Sequence, residues 1–324
     1  MHRALLLRRT LPPARIRRTG FVVKPTVSVV IPTLSRPSLD RAVRSVLEQT
    51  YPVEEIIVVA DTDVPVALPS DDRITLLRSG GRAGPARCRQ VGIDAAHGTV
   101  IALLDDDDEW CQVKLERQLA AVATDVEDGT PWIASSRMVV VGPGDRRRIW
   151  PRRLVSSDQS VAEYLYRFNG FTVGGATLQT STLCFPKELV HVVPWDADPD
   201  APHEEASWLL RIRRAVPEVR LVHHPEVLST YNVGDPSFSR TSTDRTDEYL
   251  AWGLRYLGGE SPRVRGDYLS TSPVSAAVSA RSLSGVGRST WSAIRYGRPG
   301  PFAVSYAILG AARTLVRAVL APVR

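Results

Sequence analysis

The chain has 324 residues, 43% hydrophobic and 23% charged, a composition that excludes disorder as the main state and allows two domains or one large one. Its net charge of +6 is uneven: residues 1–24 carry seven basic side chains and no acid, and residues 261–324 carry nine arginines against Asp267, leaving 25–260 at −9. Basic ends around an acidic centre are not the single basic face of a nucleic-acid binder; they suit solubility or an anionic membrane surface.

In chain order, residues 1–24 read as a basic extension expected to be disordered, because the apolar run at 5–7 is too short for a signal peptide. Strands are predicted at 27–32 (VSVVIP), 56–61 (IIVVAD) and 100–105 (VIALLD). These short, nearly continuous β-branched runs suit strands covered on both faces, as in a parallel sheet. A helix is expected within 38–50, where Leu39, Val43, Val46 and Leu47 follow helical spacing, and a short strand at 74–78. A second helix is expected at 84–96, with Pro85 in its first turn. This order predicts an α/β fold, doubly wound around a mostly parallel sheet.

Beyond a boundary near 130 the pattern predicts a strand at 132–141, an arginine-rich loop at 143–160, and helices at 204–216, at 245–258 and over much of 275–322. A second boundary near 260 is expected. No stretch is long and apolar enough for a membrane-spanning helix. Three scattered cysteines, Cys88, Cys111 and Cys184, form no CxxC pair, and no HExxH occurs. Structural zinc is therefore not expected, and reduced thiols and a cytoplasmic setting are.

Ligands of open parallel sheets sit beyond the carboxyl ends of the strands. Here those ends deliver Pro32 and Thr33, Asp61, and the run Asp105, Asp106, Asp107 and Asp108 to one rim. Neither GxGxxG after the first strand nor a GxxxxGK[ST] loop is present, so the dinucleotide and P-loop readings lose their main support. Four successive aspartates make either a solvated acidic turn capping the next helix or a hard-oxygen site for Mg2+ or Mn2+; their mutual repulsion favours the cation. On the 204–216 helix, Glu205 falls on the face of Trp208, Leu209 and Ile212, while Glu204 falls at its edge toward Arg211. An inward carboxylate with a raised pKa suits a general base, although both glutamates also suit a helix N-terminus. His203 reads as a surface residue, His223 and His224 as packing or rim groups, and Trp110, Trp195 and Trp208 as core. Thr180, Ser181 and Thr182 are within the repertoire of sugar-hydroxyl contacts.

The stretches VSVVIPTLSR, SVLEQTYPVEEIIVVAD, GPARCRQVGIDAAHGTVIALLDDDDEW and HEEASWLLRI, in this order and spacing from 27 to 231, resemble the family 2 glycosyltransferases of GT-A fold. The resemblance implies an inverting, metal-dependent transfer of a sugar from a nucleotide donor (UDP-, GDP- or dTDP-linked) to a hydroxyl acceptor, a lipid-linked one among the options. It implies that Pro32 and Thr33 line the nucleotide pocket, that Asp61 bonds the base and that Arg87 lies near the diphosphate. Asp105 and Asp107 match the acidic positions of a DxD motif, with Asp107 first choice as metal ligand and Asp106 and Asp108 supporting. The acidic pair implies Glu205 as base, with Glu204 the alternative. The chain departs from the family pattern at Ala60, where an aspartate is common, and at Cys88, where an asparagine is.

The expected organisation is an extension (1–24), a nucleotide-sugar half (25–130), an acceptor half with the base (131–260) and a basic helical C-terminal segment (261–324). Residues 303–320, with Arg313, Arg317 and Arg324, form a basic amphipathic stretch that either packs on the domain or holds the protein peripherally at the inner face of a membrane. A sugar-phosphate nucleotidyltransferase is the alternative enzyme, weakened because PTLSRPS after the first strand lacks glycine. A non-catalytic nucleotide-sugar-binding scaffold is the other.

Overall fold

The computed structural model describes residues 24–156, 159–171, 175–233 and 243–319. The expected disorder of the N-terminal extension thus lies outside the described residues, Lys24 excepted. The first half runs β1 (Val27–Thr33), α1 (Leu39–Leu47), β2 (Glu55–Ala60), β3 (Ile74–Arg78), α2 (Pro85–Ala95), β4 (Val100–Leu103), β5 (Glu109–Trp110), α3 (Lys114–Ala121) and α4 (Ala123–Asp128). There follow β6 (Trp132–Gly142), β7 (Arg146–Trp150), α5 (Val161–Tyr166), a 3-10 turn (Thr180–Thr182), β8 (Cys184–Pro186), α6 (Glu188–Val192), α7 (Glu204–Ala215) and β9 (Arg220–Asn232). The helices α8 (Thr246–Tyr256), α9 (Pro262–Leu269), α10 (Ser272–Ser279), α11 (Leu283–Tyr296) and α12 (Pro301–Val319) complete the described chain.

One sheet runs through the molecule in the order β3-β2-β1-β4-β8-β6-β9-β5, with β7 beside β6. The strands from β3 to β4 are mutually parallel, as are β6 and β9; β8 is antiparallel to both β4 and β6. The α/β fold with a helical C-terminal extension is as expected. Its continuous apolar strands are explained by two cores on opposite faces. Val29, Ile31, Ile56, Val58 and Ala102 meet α1 and α3, whereas Val30, Ile57, Val59, Ile101 and Leu103 meet α2 and the second half. Alternate residues therefore feed different cores, each large buried apolar side chain contributing about 1.5–3 kcal/mol, which is why these strands read as apolar on both faces.

Two glycines set how α2 meets the sheet. Gly84, just before the helix, has φ +83°, a left-handed conformation open to glycine at low cost. Gly92 is where the helix touches β1: an added Cβ would lie 2.4 Å from Val30 Cγ1 and 3.2 Å from Val59 Cγ2. A Gly92→Ala variant is therefore expected to lose about 1–3 kcal/mol to overpacking, despite alanine's better helix propensity. Urea unfolding measures this, and an unchanged or raised midpoint would show that α2 can lift off β1 freely.

The segment expected as a loop at 143–160 contains β7, which forms a hairpin with β6 through pairs such as Met138 with Trp150. Arg146, Arg147 and Arg148 hide its strand pattern in the sequence; exposed charge on an edge strand is a device that blocks further pairing. Helix α9 is also new. Ser261 caps it through the Val264 amide, and Pro262 occupies its first turn. Its Tyr268 and Leu269 join Trp252 and Tyr256 of α8 in the core that carries α7. The C-terminal helices thereby hold the acidic helix in place, and Trp252 Nε1 donates to Ser207 Oγ of α7 at 2.7 Å.

Candidate active site

At the carboxyl ends of β1, β2 and β4 lies a cleft of about 230 Å³ lined by Pro32, Thr33, Asp61, Asp105 and Asp107, with Arg36, Arg89 and Tyr231 completing its polar wall. Asp61 is held by three donors: the Ser79 hydroxyl, the Ala83 amide at 2.8 Å and the Gly84 amide at 2.9 Å. Partial burial pushes its carboxyl up, but these hydrogen bonds together outweigh burial and leave it below the ordinary aspartate range. Asp61 is thus an ionised acceptor fixed at the start of α2.

The four aspartates separate into different tasks. Asp106 ties the run back to β1, accepting from Thr33 Oγ1 at 2.6 Å, the Leu34 amide at 3.3 Å and Arg36 at 3.0 Å. Among the described residues, single carboxylate oxygens of Asp105, Asp107 and Asp108 lie within 4.8 Å of one another. Burial, then the charge of Asp105, push Asp107 up to about 6, and the same two causes, in the same order, raise Asp108 well above its ordinary value. This three-carboxylate, all-oxygen set under mutual repulsion fits a hard divalent cation such as Mg2+ or Mn2+. Asp108, expected only to support the ligands, belongs to the cluster itself.

The residues from Gln179 to Thr182 connect this cluster to α7. Gln179 Nε2 donates to Asp105 Oδ2 at 3.2 Å and to Asp108 Oδ2 at 2.9 Å, and Ser181 Oγ donates to Asp108 at 2.6 Å while accepting from the Asp105 amide at 3.0 Å. Thr180 Oγ1, one residue along, donates to Glu205 Oε1. The turn is fixed from behind: Trp110 Nε1 donates to the Ser181 carbonyl at 2.7 Å and Gln118 to the Thr182 carbonyl at 2.8 Å. Gln118 also accepts from the fully buried Lys114 amine, which lies over the Trp110 ring.

Arg89 is the second connection. Only 5% exposed, it donates to Asp105 with one terminal nitrogen and to Glu204 with the other. Burial disfavours its cation, but Glu204, Asp105 and Glu205 outweigh that and raise its pKa, so it stays charged. Glu204 also accepts from Trp195 Nε1 and is therefore locked in an ion pair, with Arg89 and not with Arg211. Glu205 is left with one oxygen on Thr180. Burial, and then the charge of Glu204, raise its pKa, against the Thr180 hydrogen bond and the Arg89 charge.

The family model for glycosyl transferase family 2 matches residues 28–170. Over 248 residues the chain is 30% identical to the amylovoran biosynthesis glycosyltransferase AmsB of Erwinia amylovora, covering 73% of this chain and 78% of that one. The chain belongs to glycosyltransferase family 2. It is 36% identical over 100 residues to the Escherichia coli WfgD, a UDP-Glc:alpha-D-GlcNAc-diphosphoundecaprenol beta-1,3-glucosyltransferase, a match covering 29% of this chain and 40% of WfgD. Two solved structures share its GT-A fold. S. aureus TarS 1-349 in complex with UDP-GlcNAc has a TM-score of 0.54 at 12% identity, covering 91% of each chain. The mannosyltransferase PcManGT from Pyrobaculum calidifontis, in complex with GDP-Man and Mn2+, has a TM-score of 0.53 at 14% identity, covering 93% of this chain and 88% of that one. Membership sets aside the nucleotidyltransferase alternative.

In this glycosyltransferase Pro32, Thr33, Asp61, Asp105 and Asp107 share the cleft, while Glu204 and Glu205 stand beyond Arg89, outside its lining. Arg87 does not join them. It is exposed on α2, and the arginine in the cleft is Arg89, two residues and more than half a turn away. The signal for it was Gly92: residues three apart share a helix face, so the face that presses Gly92 on Val30 turns Arg89 inward as well. Gln179 and Arg36 were also missed. His203 is not a surface residue either: its ring packs between Tyr249 and Trp252, at 5.1 and 4.8 Å, because α8 folds back over the start of α7. Trp110, Trp195 and Trp208 are core, as read.

Proposed function

We propose that this glycosyltransferase transfers a sugar from a nucleoside diphosphate donor (UDP-, GDP- or dTDP-linked) to an acceptor hydroxyl, with inversion at the anomeric carbon and a divalent cation. The observation that carries this reading is the arrangement around Arg89: a carboxylate cluster suited to a cation on one side, and a partly buried, unpaired-by-cation glutamate on the other. Residues 25–130 would hold the donor, with Pro32 and Thr33 beside the nucleotide and Asp61 as acceptor for a base or ribose donor. Residues 131–260 would hold the acceptor.

Asp105, Asp107 and Asp108 would hold Mg2+ or Mn2+, which when bound neutralises the leaving diphosphate. Arg89 pairs with both Glu204 and Asp105, and Thr180 fixes Glu205 Oε1, so that Oε2 would be the atom that takes the proton from the attacking acceptor hydroxyl. A single in-line displacement with a base on the face opposite the leaving group inverts configuration. WfgD is named for a diphosphoundecaprenol acceptor, which supports a lipid-linked acceptor here. The basic C-terminal segment would then bring the protein, as a peripheral one, to the cytoplasmic face of a membrane.

The test is thermal-shift binding of UDP, GDP and dTDP with Mn2+ or EDTA, on wild type and Asp107→Ala. One nucleotide is expected to stabilise wild type, only with metal, and not the variant. Because protons compete with the cation at Asp107, the metal-dependent shift should fade as pH falls through about 6. The absence of any metal-dependent shift would overturn the donor-site reading. A shift that is the same in Asp107→Ala would overturn the role of that residue.

A further inference from the structure

Helix α12 is apolar nearly all round. Its inner face buries Ala303 and seats Ala307 and Gly310 against Val274, Val278 and Val286 of α10 and α11. At 100° per residue, the exposed Phe302, Val304, Ile308, Leu309, Leu315 and Val316 cover a second arc of about 160° on the opposite side. Ile308 and Leu309 are 63% and 60% exposed, and Trp291 and Ile294 of α11 are 61% and 69% exposed. A helix hydrophobic on both faces is expected to be covered on both.

The charge around this face decides what covers it. Arg295, Arg298 and Arg313 are exposed along α11 and α12. The sequence after Asp267 contains no acidic residue, and Asp267 is itself fully buried, held by Arg263 and by the amides of Phe168 and Gly300. A second copy would set like charge against like, whereas an anionic lipid leaflet complements both the apolar arc and its arginine border. Among the described residues no helix is long and apolar enough to cross a membrane.

We propose that the outer face of α12, with Trp291 and Ile294 of α11, inserts shallowly into an anionic lipid leaflet, the helix lying in the plane of the membrane. The same face reaches the acceptor side. Phe171 packs on Phe302 and Phe168 on Tyr306, at ring distances of 5.8 and 5.6 Å, and both follow closely on α5, whose Tyr166 ring lies 5.7 Å from that of His203, two residues before Glu205. A membrane-embedded acceptor would therefore approach the catalytic glutamate along the 166–171 segment, a consequence that rests on the lipid-linked reading above.

The test is co-sedimentation of the full chain with vesicles of phosphatidylcholine alone or mixed with phosphatidylglycerol, read without any turnover assay. Wild type is expected to bind the anionic vesicles and to release them in high salt. An Ile308→Glu/Leu309→Glu variant should bind at least about tenfold more weakly, and Arg295→Gln/Arg298→Gln/Arg313→Gln should lose the preference for anionic lipid. Thermal melting reports that each variant is folded. Equal partition of wild type and a folded Ile308→Glu/Leu309→Glu variant would overturn the proposal. So would a wild-type dimer that ignores vesicles and that the same variant converts to monomer. Vesicle binding as expected, in an enzyme that transfers only to soluble acceptors, upholds the surface and overturns the lipid-linked acceptor.

Discussion

Glu205→Gln is expected to lower kcat about 10²–10⁴-fold while leaving nucleotide binding unchanged, because Glu205, the proposed base, lies outside the cleft lining. Glutamine keeps the shape and the Thr180 contact but cannot accept a proton. The pH profile supplies an independent check. As the proposed base Glu205 works only when ionised, and its pKa is raised by burial and by Glu204, so kcat should fall as pH drops through that raised value. Tyr166 and Tyr231 also face it, and their pKa values are themselves raised, so neither titrates in this range. Thr180→Val removes a hydrogen bond that favours the carboxylate, so the acidic limb should move to higher pH, and Thr180→Ser should restore it. Undiminished kcat in Glu205→Gln, or a limb unmoved in Thr180→Val, would assign the base elsewhere; Glu204 is the next candidate.

Arg89→Met is expected to cost about 3 kcal/mol of stability near neutral pH, the low end for a buried ion pair because its two carboxylates are partly exposed. The variant keeps the volume of the arginine stem but leaves the half-buried Asp105 and Glu204 without a counter-charge. The loss should depend on pH with a defined sign. The penalty comes from carboxylate charge left without a partner, so it is full near neutral pH, where carboxyls are ionised. It shrinks as pH falls and vanishes once both carboxyls are protonated in folded and unfolded states alike. Urea unfolding of wild type and variant from pH 7.5 downward measures this convergence. A constant difference across that range would show that Arg89 contributes packing alone. Arg89→Lys should lie between, since one ammonium cannot bridge two carboxylates as the guanidinium fork does.

The strands, the turns and the aspartate rim were legible in the chain because each depends on its covalent neighbours. A strand covered on both faces must be apolar throughout, and Gly84 and Pro85 announce a helix start by their own backbone limits. Asp61 and Asp105 to Asp107 could be placed at one rim because parallel strands end on the same side. The charged hairpin at β7 escaped, since its stability comes from pairing with β6 and not from its own pattern. Helical spacing also placed Glu205 inward, but it could not assign a partner to either glutamate. That assignment required Arg89 from α2, Trp195 from the segment before α7 and Thr180 from the turn before β8 to meet at one point. Gln179 bridges Asp105 and Asp108 across more than 70 residues of chain, and nothing in its local sequence distinguishes it from any exposed glutamine. Local rules of backbone and hydrophobic period act over a few residues, so the chain by itself determined the scaffold and the identity of the acids. Ion pairing and desolvation act through space between segments far apart in sequence, so only the tertiary structure decided which acid pairs with Arg89, which acids cluster together and which is left without a cationic partner.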